Sequence, residues 1–158
     1  MEQPVIVVSN SSPLIALHQL GQLDLCHTLF GTVLIPPAVI HETFQTRLQP
    51  SWLEGRPLAQ PLSALVLRGR LGAGEREAIA LAVELNADLI LLDDTAARRT
   101  ASSIGLHVVG TFGLLLRAKE QQLLPAVKPL IDQLLAFGFH AGEELVSEVL
   151  RIVGESTG

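Results

Sequence analysis

The sequence is poor in the residues on which several protein classes depend. It holds a single cysteine, Cys26, which excludes a disulfide within the chain and a cysteine-rich zinc site. Only 17% of the 158 residues are charged and 4% are aromatic, whereas 48% are hydrophobic, so we expect a large apolar core rather than disorder. No apolar run approaches the roughly 18 residues that a membrane-spanning helix requires. The apolar residues are therefore expected to fold inward.

Basic residues are scarce at the beginning of the chain. No Lys or Arg occurs before Arg47, so the basic region of a secretory signal is missing and we expect a cytoplasmic protein with no membrane segment. The chain has 11 Lys and Arg against 16 Asp and Glu, and a net charge of −5 argues against binding nucleic acid over the whole surface. Nine of the 11 basic residues lie between Arg47 and Lys119, which is compatible with a local basic patch.

Short apolar runs alternate with segments of helical periodicity. The predicted strands are 5–8, 32–35, 89–92 and 106–109. The predicted helices are 13–21, 23–30, 38–46, 75–86, 95–103, 112–121, 125–137 and 142–153. The segment 49–61 is rich in Pro and Gly and is assigned no structure. This alternation predicts one α/β domain over residues 1–158, with a mainly parallel sheet covered by helices on both faces.

Two predicted strands end in polar side chains. Asn10 follows the strand 5–8, and Asp93 and Asp94 follow the strand 89–92. Ligands bind at the carboxyl ends of strands in open parallel sheets, and oxygen ligands suit a hard cation such as Mg²⁺ or Mn²⁺. Such an ion would activate water and neutralise charge on a phosphodiester. The alternative is structural, because an Asp pair after a strand commonly caps the next helix.

Acidic residues on helices supply further candidate ligands. Glu42 lies in the predicted helix 38–46, and Glu75 and Glu77 open the helix that follows Gly74. Residues two apart on a helix point to roughly opposite faces, so at most one of Glu75 and Glu77 is expected to be a direct ligand. An acidic residue in a first helical turn also has a structural explanation, since the helix dipole stabilises it by about 0.3 to 1 kcal/mol.

Arg98 and Arg99 follow the Asp pair by four or five residues. This spacing favours either an ion pair between Asp94 and Arg98 or a contact with a phosphate group. A surface ion pair is the default interpretation.

Five blocks of the sequence together form a recognisable pattern: Val7–Leu17, Ile35–Glu42, Leu71–Ala82, Leu91–Ala101 and Gly105–Gly113. In this order they resemble the DUF3368-type branch of the PIN-domain superfamily. The resemblance implies a three-layer α/β/α sandwich with an acidic cluster that binds Mg²⁺ or Mn²⁺ for RNA cleavage. The four acidic positions of the family correspond, in chain order, to the following residues of this sequence: Asn10, Glu42, Glu77 or Glu75, and Asp94 or Asp93.

Asn10 departs from the pattern of the superfamily. Most PIN nucleases have Asp at this position, and the amide supplies a neutral oxygen that binds a cation more weakly than a carboxylate does. Mg²⁺ commonly needs only one or two protein carboxylates, so activity is compatible with this change. The leading hypothesis is therefore a Mg²⁺- or Mn²⁺-dependent endoribonuclease. In this hypothesis Glu42, Glu77 and either Asp93 or Asp94 hold the ion, Asn10 orients the ion or its water, and Arg98 and Arg99 bind phosphates of the RNA.

Small PIN proteins also resemble the toxin half of toxin–antitoxin pairs, which implies an antitoxin that covers the acidic groove. The apolar helices after Pro125 predict a homodimer. One alternative function is a PIN-like binding or regulatory module whose nuclease activity is reduced or lost because of Asn10. A second alternative is a receiver-like phosphoacceptor. It is weaker because no separate aspartate stands at the end of a central strand for phosphorylation, and because the first acidic pair would be expected near the N-terminus.

Overall fold

The computed structural model describes residues 5–60 and 71–156. Within these ranges, the strands are β1 (Val7–Ser9), β2 (Val33–Ile35), β3 (Leu53–Gly55), β4 (Leu89–Leu91) and β5 (Val108–Val109). The helices in the same ranges are α1 (Ser11–Gln19), α2 (Asp24–Phe30), α3 (Pro37–Thr43), α4 (Ala73–Leu85), α5 (Thr95–Ser103), α6 (Thr111–Glu120), α7 (Lys128–Ala136) and α8 (Glu143–Ile152).

The five strands form one parallel sheet in the order β3-β2-β1-β4-β5. Strand β1 is central, with Val8 opposite Leu34 of β2 on one side and opposite Ile90 of β4 on the other. The chain adds strands outward from β1 to β3 and then returns to the other side of β1 to form β4 and β5. Such a reversal of strand order leaves a crevice at the carboxyl ends of the two strands where it occurs, which here are β1 and β4.

The sheet is buried on both faces. Neighbouring residues of one strand belong to different apolar layers: Val7 and Leu91 pack with helices α1, α2, α6 and α7, whereas Val8 and Ile90 pack with α4 and α5. This follows from the alternation of side chains along a strand. The predicted three-layer α/β/α sandwich with a parallel sheet is confirmed.

Strand β3 was not predicted, because it lies in the segment 49–61 to which no structure was assigned. It is an edge strand of three residues, and only Leu53 among them is buried. It pairs with β2, and Glu54 lies opposite Leu34. This pairing is a tertiary contact, and it produces no periodic hydrophobic pattern from which the strand could be predicted. Residue 61 of that segment, and Arg68 and Arg70 of the basic range, lie outside the described residues.

In the part of the chain that the structure covers, no helix has both the length and the apolar character needed to cross a membrane.

The carboxylate of Glu155 joins the end of the chain to two helices. It accepts hydrogen bonds from the backbone N–H groups of Val127 and Lys128, each at 2.9 Å, and from Lys119 Nζ at 2.7 Å. The N-terminus of α7 has no capping side chain of its own at Val127, so Glu155 satisfies its donors from a distance in sequence. Burial raises the pKa of Glu155, but the hydrogen bonds from Lys119, Lys128 and Val127 outweigh it and lower the pKa below its ordinary value.

We expect Glu155→Gln to lower the free energy of unfolding by about 1 to 3 kcal/mol near pH 7, because the lost hydrogen bonds involve a charged group. A carboxyl whose pKa is lowered by folding contributes stability above its unfolded pKa, about 4.3, and loses it as the pH falls through the lower folded value. The difference between wild type and variant should therefore shrink below about pH 4. Urea unfolding over a series of pH values measures it.

The control is Asp132→Asn on α7. Asp132 pairs with Lys128 at 2.9 Å, but its side chain is 57% exposed, and such surface pairs contribute about 0.5 kcal/mol or less. An equal loss of stability in both variants, or a loss in Glu155→Gln that does not change with pH, would contradict the proposed role of Glu155.

Candidate active site

Asn10 lies directly after β1 in the crevice between β1 and β4. The residue is 3% exposed, and its backbone N–H donates to the carbonyl of Leu91 at 3.0 Å. Asn10 precedes α1, but its side chain makes no capping hydrogen bond, and its Oδ1 atom is buried without a donor. A buried acceptor left without a partner costs about 1 to 3 kcal/mol. This amide oxygen is therefore available to a ligand that brings positive charge or a proton.

The carboxylate of Glu42 on α3 is held by two other elements. Ser11 Oγ, at the start of α1, donates to Glu42 Oε2, and the backbone N–H of Gly74, at the start of α4, donates to Oε1 at 3.0 Å. A Cβ atom at position 74 would lie 2.9 Å from the Glu42 carboxyl carbon and closer still to its oxygens. Glycine at position 74 therefore leaves room for the Glu42 carboxylate in this orientation, and a larger residue would displace it.

Glu75 is the neighbouring acid in the first turn of α4. Its Oε1 atom accepts a hydrogen bond from the backbone N–H of Gly72 at 3.0 Å, whereas its Oε2 atom is buried without a donor. Burial raises the pKa of Glu75; the Gly72 hydrogen bond opposes this rise, and the nearby carboxylates of Asp94 and Glu42 add to it. Three acidic side chains from α3, α4 and the end of β4 thus repel one another electrostatically.

Asp94 has one oxygen in a structural contact. Its Oδ2 atom accepts a hydrogen bond from the backbone N–H of Ala97 at 2.9 Å and so caps α5. The capping role that the sequence suggested for the Asp pair is thus present at Asp94. Because Asp94 also raises the pKa of Glu75, the same carboxyl group faces the acidic cluster.

Asp93 points to a different part of the fold. Both of its oxygens accept hydrogen bonds from Thr111 at the start of α6, Oδ1 from the backbone N–H at 2.7 Å and Oδ2 from the hydroxyl at 2.6 Å. Burial raises the pKa of Asp93, although the two bonds from Thr111 and the charge of Arg98 oppose the rise. Its hydrogen bonds therefore join the end of β4 to the start of α6.

Glu77 forms its hydrogen bond at the start of α3. Its Oε1 atom accepts a hydrogen bond from the backbone N–H of Ala38 in the first turn of α3, at 3.0 Å. Glu75 and Glu77 thus diverge, as their spacing of two residues on a helix requires. Of the two predicted candidates, the structure brings Glu75 toward Glu42 and Asp94 and places Glu77 as a support for α3.

Arg98 and Arg99 are exposed on α5. Asp94 and Arg98 are both described, yet they do not form the ion pair that their spacing suggested. The Arg98 guanidinium instead lies over Gly110, where a Cβ atom would be 2.5 Å from Nη1 and 3.1 Å from Asp93 Oδ1. Both arginines line a cleft of about 760 Å³ together with Asp93.

The donor atoms of the cluster fit a hard divalent cation. All of them are oxygens, and Asn10 Oδ1 and Glu75 Oε2 are buried with no hydrogen-bond donor to satisfy them. Over residues 5–60 and 71–156, however, no three His, Cys, Asp or Glu side chains are placed so that they alone could hold an ion. An ion here would need the Asn10 amide or water molecules to complete its coordination, as is common for Mg²⁺.

Three residues of the site were not predicted as parts of it. Ser11, Gly74 and Thr111 hold the carboxylates of Glu42 and Asp93 by hydrogen bonds. Ser11 and Glu42 are 31 residues apart, so no local pattern joins them. A glycine directly before Glu75 was the one available signal, because close approach of a backbone to another group commonly requires glycine.

One known family matches most of the chain. The sequence model of the DUF3368 family, described as a PIN domain, matches residues 6–155. No curated protein matches the chain. The family match spans nearly the whole chain, including strands β1 and β4 and the five helices α1, α3, α4, α5 and α6 that carry the acidic residues and their supports. The chain therefore belongs to the DUF3368 family of PIN domains, within the PIN-type nuclease superfamily.

Proposed function

We propose that the protein is an endoribonuclease of the PIN type that depends on Mg²⁺ or Mn²⁺ and acts through Asn10, Glu42, Glu75 and Asp94. One observation carries the proposal: Glu75 and Asp94 are close enough to raise the Glu75 pKa, while Glu75 Oε2 is buried with no donor. Carboxylates brought together in this way are stabilised either by a shared proton or by a cation. A hard divalent cation meets this requirement with oxygen ligands alone.

In this proposal, the ion would be held by Glu75 and Asp94 with the amide oxygen of Asn10. When bound, it supplies an activated water and neutralises charge on the scissile phosphodiester. Ser11 and Gly74 hold the Glu42 carboxylate in one orientation at the edge of the cluster, and the Ala97 N–H holds Asp94. Arg98 and Arg99 are exposed cations that bind phosphates along the RNA.

Asp93 and Glu77 take supporting roles in the proposal. Both Asp93 oxygens accept hydrogen bonds from Thr111, and Glu77 accepts one from Ala38. Unlike Glu42 and Asp94, neither of these two acids contributes to the raised pKa of Glu75. We assign Asp93 to positioning the loop after β4, and Glu77 to supporting the helix that carries Glu42.

A second candidate function is a binding or regulatory module without nuclease activity. The observation in its favour is the neutral amide at Asn10, together with the lack, among the described residues, of three acidic or His side chains that suffice for an ion.

The toxin role, the antitoxin partner and the homodimer stay predictions from the sequence. The exposed apolar residues Leu145 and Ile152 on α8 are compatible with a protein partner.

We expect Glu75→Gln and Asp94→Asn each to weaken Mn²⁺ binding at least about ten-fold, equivalent to about 1.4 kcal/mol, because each removes a negative charge from the cluster. Titration calorimetry on purified protein measures the affinity, and a gel assay on RNA with Mn²⁺ measures cleavage, which should be lost in both variants. Glu77→Gln is the matched control, since it changes the same residue type two positions away and should bind Mn²⁺ like wild type.

Wild-type affinity in Glu75→Gln would show that the site is misplaced. Saturable Mn²⁺ binding by the wild type without cleavage of any RNA would favour the binding module instead. Loss of binding in Glu77→Gln alone would assign the ion to Glu77.

Asn10→Asp should tighten Mn²⁺ binding and lower the thermal stability of the metal-free protein. Both effects have one cause, since a fourth carboxylate attracts the cation and repels Glu42, Glu75 and Asp94 when no cation is present. Thermal unfolding with and without Mn²⁺ measures the two effects together. An unchanged Mn²⁺ affinity would mean that position 10 does not contact the ion.

Gly74→Ala should weaken Mn²⁺ binding and RNA cleavage, because the added Cβ would collide with the Glu42 carboxylate and displace it. The matched control is Gly142→Ala at the start of α8, where the added Cβ meets nothing within 4 Å and φ is −72°. Calorimetry with Mn²⁺ on both variants distinguishes them. Equal affinities would show that the position of Glu42 does not matter to the ion.

A further inference from the structure

The connection between α7 and α8 presents an aromatic side chain next to the acidic cluster. Helix α7 ends at Ala136, and Gly138 follows with a φ of +95°, a conformation that favours glycine. The Phe139 N–H donates to the carbonyl of Leu134 at 2.9 Å, which closes the end of the helix. The Phe139 ring packs against Phe112, with ring centroids 5.4 Å apart. The turn is thus anchored to the core on both sides of Gly138.

Phe137 is the exposed member of this turn. Of the five phenylalanines and one tryptophan of the chain, all of which the structure describes, only Phe137 has more than half of its surface exposed, at 57%. It lines a cavity of about 360 Å³ together with Ser12, Asp93 and Asp94. The flat apolar ring of Phe137 therefore borders the same space as Asp94 of the proposed metal site. Because the turn that carries the ring is anchored on both sides, binding a ligand there would cost little conformational entropy.

This cavity continues into the cleft that Arg98 and Arg99 line, because Asp93 and His140 border both spaces. Asp93 accepts two hydrogen bonds from Thr111, and the positive charge of Arg98 lies close enough to its carboxyl group to oppose the rise of its pKa. Two adjoining spaces thus lie on this part of the surface: Asp94 and Phe137 border one, and Arg98 and Arg99 border the other. This arrangement matches the chemistry of a nucleotide chain, in which bases with apolar faces alternate with anionic phosphates.

We propose that Phe137 is a positioning residue on which an unpaired nucleobase stacks, next to the phosphodiester that lies at the acidic cluster. The proposal rests on the proposed function for the identity of the neighbouring site. The base must be free of its own stacked neighbours to lie on the ring, so Phe137 selects unpaired segments of RNA. Arg98 and Arg99 hold the adjoining phosphates and fix the direction in which the strand leaves the site.

The test is the binding of a short single-stranded RNA that carries 2-aminopurine at one internal position, whose fluorescence falls when the base stacks. Titrations in EDTA at low salt prevent cleavage and use wild type, Phe137→Ala, Phe137→Leu and Phe137→Trp. We expect Phe137→Ala and Phe137→Leu to bind about ten-fold more weakly and to lose the quenching, since base–aromatic stacking contributes on this scale. Phe137→Trp should restore both, because it supplies a larger aromatic face.

Leu135→Ala, in the last turn of α7 just before Phe137, is the matched control. Leu135 is apolar and 38% exposed, so its substitution measures how much RNA binding changes when exposed apolar surface is lost without the loss of an aromatic ring. Circular dichroism and thermal unfolding establish that all variants are folded. Full binding by Phe137→Leu would overturn the proposal, because leucine keeps the apolar bulk but has no ring for stacking.

Cleavage assays with Mn²⁺ on the same proteins separate this proposal from the proposed function. If the wild type cuts RNA and Phe137→Ala binds and cuts equally well, the stacking role is wrong and the nuclease stands. If no RNA is cut but the quenching still depends on Phe137, the nuclease is wrong and the stacking role stands. A change in sedimentation on substitution of Phe137, with unaltered RNA binding, would show that the ring lies in an interface between protein chains.

Discussion

The rest of the site depends on the electrostatic repulsion among carboxylates gathered at one edge of the sheet. Glu42, Glu75 and Asp94 come from three different elements, and the pKa of Glu75 is raised by its burial and by the charges of the other two. Folding must therefore oppose both desolvation and like-charge repulsion to keep the cluster together. The free energy for this comes from the two apolar layers that pack against the sheet and hold β1 and β4 side by side.

Hydrogen bonds orient the carboxylates without neutralising them. The Gly72 N–H binds one oxygen of Glu75, and the Ala97 N–H binds one oxygen of Asp94, so each carboxyl group keeps an oxygen toward the cluster. Glu42 receives donors from Ser11 and Gly74, which fixes its direction most fully. The donors also belong to helix starts, where backbone N–H groups lack partners within the helix. The same hydrogen bonds therefore satisfy backbone N–H groups at the helix starts and orient the carboxylates.

The sequence predicted the parts of the site that follow from local geometry. Asn10 and Asp94 come at the ends of apolar strands, and parallel strands bring such ends to one edge of the sheet. The spacing of Glu75 and Glu77 predicted that they point apart, as they do. It did not reveal which of the two joins the cluster, because that depends on where α3 packs: Glu77 meets Ala38, the residue after Pro37 in that helix. Asp93 was equally ambiguous, since its partner Thr111 lies 18 residues away.

The sequence by itself determined the layered α/β architecture, because buried strands and amphipathic helices each carry a period that is set by backbone geometry. It also determined the kinds of atom available to a ligand, which are oxygens and guanidinium groups. Only the tertiary structure decided which carboxylates converge, that β3 extends the sheet, and that Phe137 shares a cavity with Asp94. These features arise from contacts between residues distant in sequence, whose distances depend on the packing of whole elements and leave no local periodicity.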